Sequence, residues 1–523
     1  MSPVPKDFLQ GDGTYLVEAS AGTGKTYWMV ETAVELLLKG STISKPERLL
    51  AVTFTRAATA ELKERLRKRL HELRAAPGDF DPRRIDAALA AMDRLPVTTI
   101  HGFCKGVLEE FALECGVPVG LDFLEDISAY VDVAVADEWR SLTWEDSPTS
   151  EIVLSALMAG DDPRWSPKEL RNAALVVRGA IGAQRPARLP SRGNDAAALR
   201  TSLQAIAAAF SLERLGDFAQ AVEWNKDSSL VEAVDDLAAA VDAINDGRAP
   251  MMADLRRWSK EAVLDAANKG AKFKKANLAL IAEEPLLLLV SQAVAQFSTS
   301  SDALWQDAVL GIVERIERGL QADRAAGFDD MIAMVQRALV GERGAELQRA
   351  LRDRYDAVLV DEFQDTDWAQ WQIFSTAFQG RPLILVGDPK QSIYAFRGAD
   401  IFAYRKAKET ANAAGRVWSL DTNWRSDRGV VDATGALFAA EQPFAVPSEQ
   451  LAFTPVTAKR QEPYITGDAQ ASALVMIDAG KDTVAEQEQR IARYIAAEIV
   501  RLLRDEAIAY QPNGEAARRI NPK

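Results

Sequence analysis

The sequence predicts an α/β protein: a parallel sheet carrying a phosphate-binding turn, with a wholly helical domain set into it. Three observations carry that reading. At Val17–Thr26, VEASAGTGKT, an apolar strand runs into a small-residue turn and then a helix. A later strand, Ala357–Glu362, delivers two carboxylates at its end. Between them, from about Asp126 to about Ala322, the chain is Ala-, Leu- and Glu-rich with helical spacing and little strand-like alternation.

Composition sets the outer bounds. With 523 residues, about two to four domains are expected. A hydrophobic share of 48% beside 26% charged residues belongs to an ordinary globular protein with real cores. No uninterrupted apolar run is long enough to span a bilayer, so no membrane partner is expected. The opening MSPVPKDFLQ lacks the apolar segment of a secretory signal. Cys104 and Cys115 have no metal-ligand spacing, and His71 and His101 are too few for a histidine-rich centre. That cysteine usage argues against a disulfide framework or a zinc site, and it fits a reduced cytoplasmic setting. The net charge of −14 does not exclude nucleic acid, because phosphate affinity depends on local basic surface.

Taken in order, Tyr15–Glu18 reads as a buried strand, Ala19–Gly24 as the turn, and Lys25 and Thr26 as the opening of a helix. The spacing A-x-x-x-x-G-K-T is a P-loop with alanine at its first small position. Ala21, Gly22, Thr23 and Gly24 let successive backbone N–H groups curl around a triphosphate, and the helix amino end adds a favourable dipole. Lys25 is placed for the β- and γ-phosphates of ATP and the Thr26 hydroxyl for Mg²⁺, with Tyr27 next in the same stretch. Upstream, the Gln10 amide is a candidate reader of the adenine edge.

Leu49–Phe54 is a second buried strand, too uniformly apolar to be half exposed. It leads through Thr55 into a helix whose Arg56, Lys63, Arg65, Arg67, Lys68 and Arg69 outnumber its acids, a candidate path for a phosphate backbone. Pro96–Ile100 reads as a third strand. Thr99, His101 and Phe103 stand at its carboxyl end, where open α/β sheets place binding residues. The helical stretch that follows carries no recognisable chemistry, and its tryptophans read as core.

The α/β pattern resumes at Gly327–Met331. In Ala357–Glu362 a buried strand fixes Asp361 to hold Mg²⁺ and Glu362 to orient and deprotonate an attacking water. Pro382–Val386 is another apolar strand, leading into GDPKQSIYAFRGAD. There Gln391 is placed to sense the γ-phosphate, and Tyr394 and Phe396 offer flat faces for the bases of single-stranded DNA. Arg397 is a candidate partner for a phosphate or for the two acids. Val417–Leu420 ends in DTNWRS, whose Arg425 is a candidate for the γ-phosphate. Ala471–Ile477 reads as one more strand and Val484–Leu503 as an amphipathic helix.

These stretches in this order resemble superfamily 1 DNA helicases of the UvrD/Rep type. EASAGTGKT looks like motif I of that family, TFTRAATAEL like motif Ia, and TTIHGFC like the strand-contacting segment after it. VDEFQDTD resembles motif II, VGDPKQSIYAFRGAD motif III and LDTNWRS motif IV. The wording is most similar to the RecB-type subunits of exodeoxyribonuclease V. The resemblance implies a RecA-like P-loop NTPase lobe with an inserted all-helical domain and the start of a second RecA-like lobe. Residues 1–125 and 323–415 would form the first lobe, 126–322 the insert and 416–523 the second. It further implies an ATP- and Mg²⁺-dependent motor walking 3′ to 5′ on single-stranded DNA. RecC- and RecD-like subunits and duplex ends are its implied partners, in recombinational repair of double-strand breaks. Lys25, Thr26, Asp361, Glu362, Gln391 and Arg425 carry over for nucleotide, and Thr55, Arg56, His101, Phe103, Tyr394 and Phe396 for DNA.

The chain also departs from the family. No histidine follows His101, so motif V, T-x-H-x-x-K-G-L-E, is missing, and no arginine after Arg425 has a motif VI setting. The expectation is an N-terminal portion that binds nucleotide and hydrolyses it poorly by itself. The alternatives are a truncated, non-catalytic nucleotide- and DNA-binding module, or part of a UvrD-like or AddA-like helicase.

Overall fold

The computed structural model describes residues 11–39, 43–144, 153, 162–179, 192–222, 229–248, 250–269, 275–392, 400–439, 453–463, 465–468, 475, 477, 480, 482–505, 508–510 and 518–519. The chain divides into two compact units, one formed by Met1–Val119 with Met331–Lys523 and the other by Gly120–Asp330.

Strands β1 (Gly13–Ala19), β2 (Leu49–Thr53) and β3 (Val97–Thr99) belong to the first unit, and β4 (Asp122–Leu124) and β5 (Ala325–Gly327) to the second. The first unit resumes with β6 (Ala357–Val360), β7 (Pro382–Gly387) and β8 (Val417–Leu420). Its sheet runs β3-β2-β6-β7-β1-β8 with every neighbouring pair parallel. All residues of β2, β6 and β7 are buried, which is why these segments read as continuous apolar runs rather than as alternation. The helix Arg56–Ala75 covers one face through Leu62, Leu66, Leu70 and Leu73, a stripe at helical spacing. Because the strands are parallel, their carboxyl ends and the loops that leave them share one edge.

Val417–Leu420, assigned from the sequence to the segment 416–523, is the outer strand of this sheet, in register from Leu16↔Val417 to Ala19↔Leu420. The Leu16 N–H donates to the Arg416 carbonyl at 2.9 Å. Trp418 stacks on Tyr15 with ring centroids 6.0 Å apart, and the Arg416 guanidinium lies 4.7 Å above the Tyr15 ring. Beyond it, β9 (Thr422–Asp427) pairs with β10 (Thr457–Arg460) in parallel. The expected C-terminal helix is present as Val484–Arg504 and opens with a reciprocal Thr483–Glu486 capping box. Of the expected strand at 471–477, Val475 and Ile477 are described and lie in no strand; the rest falls outside the described residues.

Among the described residues the second unit is helical apart from β4 and β5, which pair in parallel from Asp122↔Ala325 to Leu124↔Gly327. Its organising element is the 38-residue helix Pro285–Ala322, started by Pro285 and by the Glu284 carboxylate accepting the Leu286 N–H. Leu287, Val290, Phe297, Ile312 and Ile316 of that helix enter one core with Trp258 and Trp165. Both tryptophans satisfy their ring N–H inside it, Trp258 on the Ala233 carbonyl at 2.8 Å and Trp165 on Ser301 at 3.0 Å. Trp144 differs from the expected core role, being 82% exposed, and Trp224 lies outside the described residues. Among the described residues no single helix is long and apolar enough to cross a membrane.

Candidate functional site

At the carboxyl end of β1 the backbone turns through Ser20–Gly24. Gly22 and Gly24 have φ of 78° and 89°, left-handed values that suit glycine. Close approach adds a second reason at Gly22, where a Cβ would stand 2.7 Å from the Asn423 side chain. Thr23 is buried and donates its hydroxyl to the Ser20 carbonyl at 2.8 Å, tightening the turn. The helix Lys25–Leu38 then starts at Gly24 with no side-chain cap and no acid in its first turn. Such an amino end attracts an anion. Ala21 and Tyr27 are exposed beside it.

The two acids arrive on β6, between β2 and β7. Asp361 is tied to β2 by its N–H, which donates to the Val52 carbonyl at 2.8 Å. Burial first, and then the negative charge of Glu362, push its carboxyl up to about 6. Glu362 has φ 49°, a left-handed backbone that a non-glycine residue adopts at a cost. Its Oε2 accepts both the Lys25 ammonium at 2.5 Å and the Gln364 amide at 2.8 Å. The P-loop and the acid strand therefore meet through Lys25 and Glu362. Asp365 is also raised to about 6, by burial and then by Glu362, and its buried Oδ1 has no hydrogen-bond partner among the described residues.

Thr26 and Asp361 offer a hydroxyl and one carboxylate. Mg²⁺ takes such a hard-oxygen set when nucleotide phosphates and water complete its shell, and a buried, raised carboxyl gains from a cation beside it. The residues fit that metal.

Gln391 reaches the same edge on the turn after β7, where its amide donates to Asp388 Oδ2 at 2.7 Å and Lys390 pairs with Asp388 Oδ1 at 2.8 Å. Arg425 is brought to the P-loop by its neighbours. Trp424 donates its N–H to the Gly22 carbonyl at 2.8 Å, and the Asn423 amide donates to the Ala21 carbonyl at 3.0 Å. Asn423 Oδ1 in turn accepts the N–H groups of Arg425 and Ser426 at 2.9 and 2.8 Å. Sequence reasoning missed Gln364, Asp388 and Asn423 as organisers of this edge. A polar side chain beside a motif residue at a strand end was the available signal, but Gln364 also accepts the Asp388 N–H across 24 positions and Asn423 reaches Ala21 across 402.

The candidates for nucleic acid separate into three groups. Thr55 and Thr99 lie at the ends of β2 and β3, where they cap the helices Arg56–Ala75 and Ile100–Glu110 by accepting the Ala58 and Gly102 N–H groups, each at 3.1 Å. Arg56 is exposed and His101 half-buried in the first turns of those helices. Phe103 is a correction: it is 3% exposed, stacked on Phe374 at 5.6 Å and tilted against Tyr355 and Phe378. Helical spacing puts it on the inward face with Ile100 and Val107, so it offers no face to a base. Gln10, Tyr394, Phe396 and Arg397 lie outside the described residues. The basic stripe of the helix Arg56–Ala75 is also partly neutralised, because Arg65, Arg67 and Arg69 pair with Glu61, Asp93 and Glu31.

Comparison with known proteins adds independent findings. The UvrD/REP helicase N-terminal domain family matches residues 6–412. The chain is 31% identical over 539 residues to the RecBCD enzyme subunit RecB of Escherichia coli strain K12, covering 94% of this chain and 43% of that protein. It is 27% identical over 522 residues to the RecBCD enzyme subunit RecB of Haemophilus influenzae, covering 85% and 41%. For the RecBCD enzyme subunit RecB of Mycolicibacterium smegmatis the identity is 28% over 454 residues, covering 82% and 30%. The chain thus spans less than half the length of each of these relatives.

Proposed function

Because this chain belongs to the UvrD/REP helicase N-terminal domain family, we propose that it is the ATP-driven portion of a RecB-type DNA helicase, moving 3′ to 5′ on single-stranded DNA. The observation that carries the nucleotide part is the 2.5 Å contact between Lys25 and Glu362, which joins the P-loop to the acid strand. The relatives' names describe a subunit of the RecBCD enzyme, and on that analogy the partners are RecC- and RecD-like subunits and duplex DNA ends. The setting is double-strand break repair in the cytoplasm.

The geometry supports a division of labour. Lys25 and Glu362 hold one another in this structure. A γ-phosphate entering the turn offers Lys25 a more highly charged partner, and the move of Lys25 frees Glu362 to accept a proton from the attacking water. Thr26 and Asp361 would hold Mg²⁺, which supplies positive charge to the β- and γ-phosphate oxygens. Arg425, exposed beside Gly22 and always charged, would take up charge developing on the transferred phosphoryl group. Gln391 would turn from Asp388 toward the γ-phosphate. Thr55, Arg56, Thr99 and His101 would meet the DNA backbone at the ends of β2 and β3.

The test is calorimetric binding of Mg·ATP together with hydrolysis, with and without a single-stranded oligonucleotide. Lys25→Ala is expected to weaken binding by about tenfold or more, since it removes the charge that meets the phosphates. Glu362→Gln is expected to keep binding and to slow hydrolysis by about a hundredfold or more. Unchanged affinity in Lys25→Ala sinks the nucleotide reading, and DNA that leaves both binding and hydrolysis unaltered sinks the motor reading.

A further inference from the structure

Two segments of the first unit, the end of β6 and the turn after β7, meet at Gln364. Its side chain is nearly inaccessible, the residue being 2% exposed. Nε2 donates to Glu362 Oε2 at 2.8 Å and, at the longer distance of 3.4 Å, to Asp365 Oδ2. Oε1 accepts the Asp388 N–H at 2.9 Å, and the Gln364 carbonyl accepts the Ser392 hydroxyl at 3.1 Å. Both the side chain and the backbone of Gln364 are therefore gripped by the turn after β7. That turn also carries Lys390 and Gln391, each held by the Asp388 carboxylate.

Two features make this a built junction. A primary amide offers a donor to a carboxylate and an acceptor to an N–H at one end of one side chain, which neither glutamate nor leucine does. The second feature is Gly387, where a Cβ would stand 2.7 Å from Gln364 Oε1 and 3.1 Å from the Gln364 backbone nitrogen. The strand end is thus cleared for this amide. Lys25 and Gln364 also share one oxygen of Glu362, so a carboxylate released by Lys25 is still held by a charge-assisted bond from Gln364.

We propose that Gln364 is a positioning residue that ties the Glu362 carboxylate to the turn Gly387–Ser392, so that the place of that turn sets where Glu362 stands once Lys25 leaves it. The proposal rests on the reading of Lys25 and Glu362 as parts of an ATP-hydrolysing site. It makes the turn bearing Gln391 a lever on the base.

Single-turnover hydrolysis of Mg·ATP, which reads slow sites as well as fast ones, tests this alongside equilibrium binding of a non-hydrolysable ATP analogue. Gln364→Met fills the volume without donor or acceptor, whereas Gly387→Ala keeps the amide and displaces it. In both variants hydrolysis is expected to slow by about tenfold or more while analogue affinity stays within about threefold, the signature of a misplaced catalytic group. A rate within about twofold of the parent in Gln364→Met overturns the proposal. So does a parallel fall of rate and affinity in both variants, which is what a merely structural role produces. If Gln364→Met does not fold, Gly387→Ala decides by the same split. Lys25→Ala runs beside them: analogue affinity equal to the parent's overturns the site assignment underneath, a failure distinct from that of Gln364.

Discussion

Asp356 fixes the chain just before β6, and it does so with four hydrogen bonds on one carboxylate. It accepts from the Ser44 N–H and hydroxyl at 3.0 and 2.8 Å, and from Arg48 Nε and Nη2 at 2.8 and 2.7 Å. Burial works to raise its pKa, but these donors outweigh it and leave the carboxyl below its ordinary value. The folded state then binds fewer protons than the unfolded chain in the acid range. Its contribution is full above the unfolded pKa of about 3.9 and is lost as pH falls through the folded one. Asp356→Asn is expected to cost about 1–3 kcal/mol at neutral pH, read by urea titration, and to cost less at about pH 3. An equal penalty at both pH values counts against the charge. At this scale the sequence singled out Lys25, Thr26, Asp361 and Glu362 as candidates, since their spacing is the one that phosphate and metal chemistry would require. It did not reveal Gln364 or Asn423, because an amide's role depends on which distant atoms it meets.

Among the elements, the helix Ile100–Glu110 shows why placing a motif is not the same as orienting it. The sequence put Thr99, His101 and Phe103 together at a strand end, and the structure keeps the first two at the edge while the helical turn carries Phe103 inward. Phe103→Ala is expected to cost about 3–5 kcal/mol in a denaturant melt, as emptying an aromatic cluster does. Oligonucleotide affinity of the folded fraction should be unchanged. Weaker DNA binding with intact stability would return Phe103 to the surface role. The helix Trp368–Ala377 offers a milder case. Its capping box joins Asp367 and Gln370, so Asp367→Ala is expected to lose about 1 kcal/mol, measured by thermal melting. No loss would mean that the cap is replaced by water. The strands themselves were legible because parallel, doubly covered strands must be apolar throughout.

For the whole molecule, the second unit leaves and rejoins the chain through β4 and β5, which are adjacent and parallel. Its ends are thus close together, and its core has its own tryptophans and its own central helix. A fragment of residues 120–330 is expected to fold alone and melt cooperatively by circular dichroism. A broad, non-cooperative melt would show that the unit depends on its host. From periodicity the sequence places a helical stretch at about 126–322, and the compact unit runs Gly120–Asp330.

What the sequence determined by itself is local: apolar strands, helical stripes, the glycine turn and the pair of acids, each written in a spacing of a few residues and enforced by backbone geometry and burial. Tertiary structure decided what meets what. Asn423 rests on Ala21 from 402 positions away, and Lys25 reaches Glu362 across 337. The strand Val417–Leu420 takes the sheet edge beside β1, and Phe103 turns into an aromatic cluster. Pairing across such separations depends on strand order and close packing, which fix partners by shape in three dimensions and leave no period along the chain.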